Sequence, residues 1–121
     1  MNSFEPNSED LDSVFEAFAN KHRREIIDAL SLQPCSITYL ASLRDLSLPA
    51  IHKHLKLLEK ANLITRKKIG RTNVLTLNRE PLRNLQTLLI KYHPYWGTQE
   101  ETLENYTEYL EEQAEKEKEK K

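Results

Sequence analysis

Glycine is nearly absent from this chain, with two in 121 residues, so no glycine-rich loop is present to cradle a phosphate. Cysteine is scarcer still. Cys35 stands alone, which excludes an intrachain disulfide and leaves no zinc-ligand spacing. No apolar run approaches the ~20 residues that a membrane-spanning helix needs. The opening M-N-S-F-E-P-N-S-E-D has neither a basic nor an apolar stretch, so no signal peptide is expected and a cytoplasmic protein is. No nucleophile–base pair and no paired carboxylates in an apolar setting stand out, and an enzyme is not expected. Hydrophobic residues make up only 38% of the chain and charged residues 31%, so a domain this polar is expected to complete its apolar burial by pairing with a second copy.

What the chain does have is charge sorted by region. Its net charge of −1 hides nine Lys/Arg within residues 51–83 against Glu59 and Glu80, and nine Glu within residues 98–121 against four Lys. The basic part points toward a polyanion and the acidic part away from one.

Helix signals punctuate the sequence. Residues 1–8 are polar, contain Pro6 and are expected to be disordered. Ser8 can cap a first helix in which Leu11, Val14, Phe15 and Phe18 recur at helical spacing. Asn20 can cap a second, with Ile26, Ile27 and Leu30 inward and Lys21, His22, Arg23 and Arg24 crowded into its start. Positive charge there opposes the helix dipole, and a local ion pair is the expected compensation. Pro34 ends that helix, Ser36-Ile37 reads as an extended link, and Thr38 is placed as cap of a third helix reaching about Arg44. Pro81 starts a fifth helix (82–92). Thr98-Gln99-Glu100-Glu101 is a capping-box pattern opening a last one, with Leu103, Tyr106 and Leu110 on one stripe. A main domain over 9–112 and a charged tail over 113–121 follow.

The stretch S-L-P-A-I-H-K-H-L-K-L-L-E-K-A-N-L-I-T-R-K-K-I-G-R-T-N-V-L-T-L, residues 47–77, carries the functional signal. Ser47 can cap a helix with Pro49 in its first turn, where proline is tolerated. Turning 100° per residue, Ile51, Leu55 and Leu58 form a buried stripe, while Pro49, His52, Lys53, Lys56 and Lys60 point the other way. His54 borders the apolar stripe and reads as a packed, hydrogen-bonded histidine. Two strands, roughly 63–69 and 73–78, follow around Gly70. A basic amphipathic helix leading into a basic hairpin fits a helix that enters the DNA major groove and a wing that lies against the backbone or minor groove. Ser47, Leu48, Pro49, His52, Lys53 and Lys56 on the helix, with Lys68, Arg71 and Thr72 on the wing, are the expected contacts. Leu48 is suited to a thymine methyl, His52 or Lys53 to base edges, and Lys56, Lys60 and the wing cations to phosphate.

The segments F-E-A-F-A-N-K-H-R-R-E-I-I-D-A-L (15–30), S-I-T-Y-L-A (36–41), 46–64 and K-K-I-G-R-T-N-V-L-T-L (67–77) resemble the ArsR/SmtB family of winged-helix repressors. The resemblance implies a mainly α fold with a two-stranded β-hairpin, a winged helix-turn-helix of order α-α-α-α-β-β-α-α. It also implies a homodimer on double-stranded DNA at a palindromic operator, blocking transcription. The first and last helices would build the interface, from Leu11, Val14, Phe15, Phe18, Trp96, Leu103, Tyr106 and Leu110. Two positions depart from the family pattern: Arg44-Asp45 stands in place of the usual leucine and turn glycine, and Asn62 in place of the glycine after the recognition helix. The family's metal-sensing cysteines would fall on Ser36 and Thr38, with Cys35 out of register, and the last helix offers no His, Asp or Cys. No metal and no cofactor are therefore expected. The chain resembles a subgroup without metal boxes, and its sequence identifies no small-molecule effector. A different class of function, a winged-helix protein-interaction module docking a partner through the acidic last helix, would leave the nine cations of residues 51–83 without a role.

Overall fold

The computed structural model describes residues 8–93 and 97–120. In chain order the elements are α1 (Ser8–Phe18), α2 (Lys21–Leu32), β1 (Cys35–Ser36), α3 (Ile37–Leu43), α4 (Leu48–Lys60), β2 (Ile64–Ile69), β3 (Thr72–Leu77), α5 (Glu80–Ile90) and α6 (Gln99–Glu119). None of these helices is long and apolar enough to cross a membrane. The chain divides into two compact units, Met1–Leu88 and Leu89–Lys121.

The first unit is built on one core. Ile26 of α2, Leu40 of α3, Ile51, Leu55 and Leu58 of α4, Leu63 before β2 and Leu75 of β3 are its largest fully buried side chains. Helical spacing in α4 and alternation in β3 bring these residues to one side, so the fold follows from pattern. The sheet has three strands in the order β1-β3-β2, all antiparallel. The expected hairpin thus gains a strand. The extended link expected at Ser36-Ile37 lies one residue earlier, as a strand in which Cys35 and Ser36 pair with Leu75 and Val74, and the buried Cys35 sits opposite the buried Leu75.

Helix ends explain how the chain turns with so little glycine. After α3, Asp45 takes a left-handed φ of 52°, with Leu46 N–H donating to Ala41 O (2.9 Å) and Asp45 N–H to Ser42 O (3.1 Å). After α4, Asn62 does the same at φ 58°, with Leu63 N–H to Leu58 O (3.0 Å) and Asn62 N–H to Glu59 O (2.9 Å). Both are Schellman closures, which satisfy the last carbonyls of a helix. Asp and Asn are the non-glycine residues that best tolerate this conformation. Arg44, unexplained by sequence, is held in place: its Nη1 donates to Glu25 Oε2 (3.0 Å) and its Nε to His22 Nδ1 (3.3 Å). At the wing tip Gly70 has φ 64° in open space, so conformation and not crowding calls for glycine. Glycine first in a two-residue turn is the type II′ hairpin pattern.

Other boundaries differ from expectation. Ser36, not Thr38, caps α3, its Oγ accepting from Tyr39 N. α5 opens at Glu80, one residue before Pro81. The local ion pair expected at the start of α2 is not formed among the described residues. Arg23 donates from Nε to Ala17 O (3.0 Å) and from Nη2 to Glu16 O (2.9 Å), and Arg24 from Nη1 to Phe18 O (2.6 Å). They neutralise the negative C-terminal end of α1, which offsets their poor placement on α2.

The second unit is dominated by α6, which continues through the charged segment to Glu119. Its capping box is complete: Glu101 N–H donates to Thr98 Oγ1 (3.2 Å) and Thr98 N–H to Glu101 Oε2 (3.4 Å). A Cβ on Gly97 would lie 2.2 Å from that same Oε2, so a side chain there would expel the capping carboxylate. α6 has no buried residue, and Leu103, Tyr106 and Leu110 are exposed along it.

Candidate nucleic-acid interface

Three elements present one surface. Ser47 caps α4 by accepting from Ala50 N (3.3 Å), and Pro49 occupies the first turn, which fixes where the helix begins. Asn78 fastens the wing to the other end of the same helix. Its N–H donates to Leu63 O (2.8 Å), its Nδ2 donates to Asn62 O (3.0 Å), and its Oδ1 accepts from Thr65 Oγ1 (2.7 Å). Between the N-terminal half of α4 and the wing tip lies a groove of about 220 Å³, lined by Ile37, Thr38, Leu48, His52, Arg71, Thr72 and Asn73.

Of the residues expected at DNA, the structure brings Leu48, His52, Arg71 and Thr72 into this groove. Pro49, Lys53 and Lys56 are exposed on α4, and Lys68 is exposed on β2. Lys68 pairs in register with the groove residue Asn73, so both lie on one side of the hairpin, whereas Lys67 pairs with Val74 on the other. Thr38 and Asn73 are additions that sequence reasoning missed. Placing the α3 cap on Thr38 hid the first. The second carries no charge and shows itself only through its register with Lys68.

Electrostatics separates the cations into two groups. Lys60 lies 3.7 Å from Glu16, and Arg66 pairs with Glu59, so both bind carboxylates of this chain. Lys60 is therefore less available for phosphate than its position on the helix suggested. Lys53, Lys56, Lys67, Lys68 and Arg71 form no ion pair with the described residues. Leaving out Lys67 on the hairpin's other side, four unneutralised cations on the outer face of α4 and the wing make a field suited to a polyanion.

His54 sits on the inner side of α4, with its Nδ1 3.3 Å from Arg23 Nη1 and its ring centroid 5.5 Å from that of His22. Burial, then Arg23, then His22 hold its imidazole below the usual histidine range. Cys35 is buried, and burial pushes its thiol up, away from the thiolate that a reactive cysteine needs. Among the described residues no three His, Cys, Asp or Glu side chains gather as a metal site would require.

The expected interface residues of the first and last helices divide by burial. Val14 is 3% exposed and belongs to the protomer's own core, so it is closed to a second copy. Leu11 and Phe18 are half-buried, Phe15 is 47% exposed, and Trp96 lies outside the described residues.

A capped helix and a basic wing sharing one groove define a DNA-binding winged helix-turn-helix regulator, a non-enzymatic class. The family model of a helix-turn-helix domain matches residues 18–67. The chain is 42% identical over 81 residues to YuzN, an uncharacterized HTH-type transcriptional regulator of Bacillus subtilis (strain 168), covering 61% of this chain and 88% of that protein. It is 32% identical over 81 residues to the HTH-type transcriptional regulator Rv2034 of Mycobacterium tuberculosis, covering 67% of this chain and 76% of that one. An ArsR-like transcriptional regulator from Rhodococcus sp. RHA1 shares the fold with a TM-score of 0.70 at 27% identity, over 84% of this chain and 93% of that chain. The chain belongs to the HTH-type transcriptional regulators, and its structural neighbours are ArsR-family members.

Proposed function

We propose that this regulator is a homodimeric, sequence-specific repressor. It binds a palindromic operator with α4 in the major groove and the wing on the backbone or minor groove. The observation that carries this reading is the shared groove, with Leu48 and His52 on one side and Arg71 and Thr72 on the other, and with Lys53, Lys56, Lys68 and Arg71 unpaired on α4 and the wing. Leu48 meets a thymine methyl, and His52 and Lys53 read base edges. Lys56, Lys68 and Arg71 meet phosphate, and the Ser47–Pro49 turn approaches the backbone. A second copy packs on the exposed stripe of Leu103, Tyr106 and Leu110, and on Phe15 of α1. A helix as polar as α6, with no core of its own, gains most of its stability from such packing.

Fluorescence anisotropy on duplexes from the chain's own promoter tests the reading. Tight binding should appear at a site with half-sites about one helical turn apart. The log–log salt slope should be near −0.9 per phosphate met, or about −2.7 per subunit for the three met by Lys56, Lys68 and Arg71. Equal affinity for promoter and random duplexes at every salt concentration would refute it. Sedimentation of the free protein tests the dimer, with a monomer at micromolar concentration as the contrary result.

A further inference from the structure

Behind the recognition helix lies a polar network that the DNA surface does not use. Arg23, 9% exposed, is fixed to the last carbonyls of α1 and reaches His54 Nδ1 on α4 at 3.3 Å. His54 lies against His22, whose Nδ1 receives Arg44 Nε at 3.3 Å and approaches Arg44 Nη2 at 3.2 Å. Arg44 closes α3 at the corner of the helix-turn-helix and is itself held by Glu25. One chain of contacts thus ties α1, α2, the α3–α4 corner and α4 together.

The chemistry of arginine fixes the state of both rings. A guanidinium only donates, so each Nδ1 must be an acceptor and each ring must carry its proton on Nε2. A second proton has only Nδ1 to go to. It removes the acceptor, turns the bond into an N–H facing N–H contact, and sets like charges side by side. The charges facing His54 give no relief. From α2 come Arg23 and His22, and α1 contributes Glu16, which is engaged by Lys60. On the other elements packed against α4, Arg44 at the α3 end is engaged by Glu25, and Arg66 of β2 by Glu59.

We propose that His54 and His22 are positioning residues forming a proton-sensitive brace behind α4. When His54 is neutral the brace holds the recognition helix at its working angle, and when His54 is protonated the brace releases it and weakens specific DNA binding. This rests on the reading of α4 as the helix that enters the groove. The sign follows from His54, whose imidazole is depressed first by burial and then by Arg23 and His22. Its contribution to the folded state is complete above the ordinary histidine range and is lost as pH falls through the lowered value. His52, exposed on the opposite face and assigned to the DNA surface, is removed from the comparison that follows.

The test compares operator affinity at pH 7.5 and 5.5 in a His52→Gln background, with and without His54→Asn, whose amide oxygen keeps an acceptor that does not titrate in this range. With the brace intact, affinity should fall by more than about twofold across that interval, and by no more than about tenfold for each pH unit, the limit for a single proton that opposes binding. With His54→Asn the ratio should shrink below about twofold. Equal ratios in the two proteins would overturn the proposal. If His54→Asn does not fold, nitrogen chemical shifts of the wild-type imidazoles decide. A proton on Nε2 of both rings at pH 7.5 supports the brace, and one on Nδ1 of His54 refutes it. If the protein fails to prefer operator over random DNA at pH 7.5, the groove reading falls. Melting temperature without DNA then tests the brace separately: it should drop between pH 7.5 and 5.5, and drop less in His54→Asn, while parallel curves would count against it.

Discussion

The two faces of α4 are made from neighbouring residues and solve opposite problems. Inward, Ile51, Leu55 and Leu58 are wholly buried, and His54 is bound to Arg23. Outward, His52, Lys53 and Lys56 are exposed, and the two lysines have no carboxylate partner among the described residues. The division shifts along the helix. Toward its C-terminus Glu59 and Lys60 are exposed too, yet they are tied to Arg66 and Glu16. Position on the outer face is therefore not enough to make a side chain available. The first three turns of α4 are left open, and the last is committed to holding the wing and α1.

The comparison predicts a separation of stability from binding. Leu55→Ala should have the largest effect, destabilising the fold by about 2–5 kcal/mol in urea denaturation because a fully buried side chain leaves a cavity. Lys53→Ala should cost about 1–3 kcal/mol of discrimination between operator and random duplex. The same substitution should move stability by less than about 0.5 kcal/mol. A large loss of stability there would erase the distinction between the faces. Arg71→Ala, at the wing tip, should weaken all duplexes alike and lower the magnitude of the salt slope by about 0.9, whereas a change confined to operator DNA would make it a base reader. The smallest effect concerns the corner in front of α4. Asp45→Gly should stabilise by about 0.5–1 kcal/mol, since glycine adopts φ 52° without the Cβ penalty. Unchanged or lower stability would show that the Asp side chain contributes something that the turn geometry does not.

Most of the architecture could be read from spacing and caps. The inward stripe of α4, the caps at Asn20, Ser47 and Thr98, and the hairpin at Gly70 all follow from local rules, because each rests on residues within one turn or one strand. What stayed hidden depends on partners distant in sequence. β1 exists because Leu75 lies opposite Cys35, 40 residues away, and two residues carry no strand signal by themselves. Arg23 looked like a misplaced cation until α1 supplied its carbonyls, and Arg44 looked arbitrary until Glu25 and His22 received it. The placement of His52 and Arg71 on one surface could be anticipated from sequence, whereas the engagement of Lys60 by Glu16 could not.

Asn78 has a consequence for which DNA can be accepted. By bonding at once to Leu63, Asn62 and Thr65, it makes the root of the hairpin and the end of α4 a single rigid joint. The two prongs then behave like a caliper with a fixed jaw. A duplex whose local groove width matches the gap is gripped at no elastic cost, and one that is too wide or too narrow must deform to fit. Base pairs that no side chain touches would thereby influence the choice of site, through the stiffness of the helix they belong to.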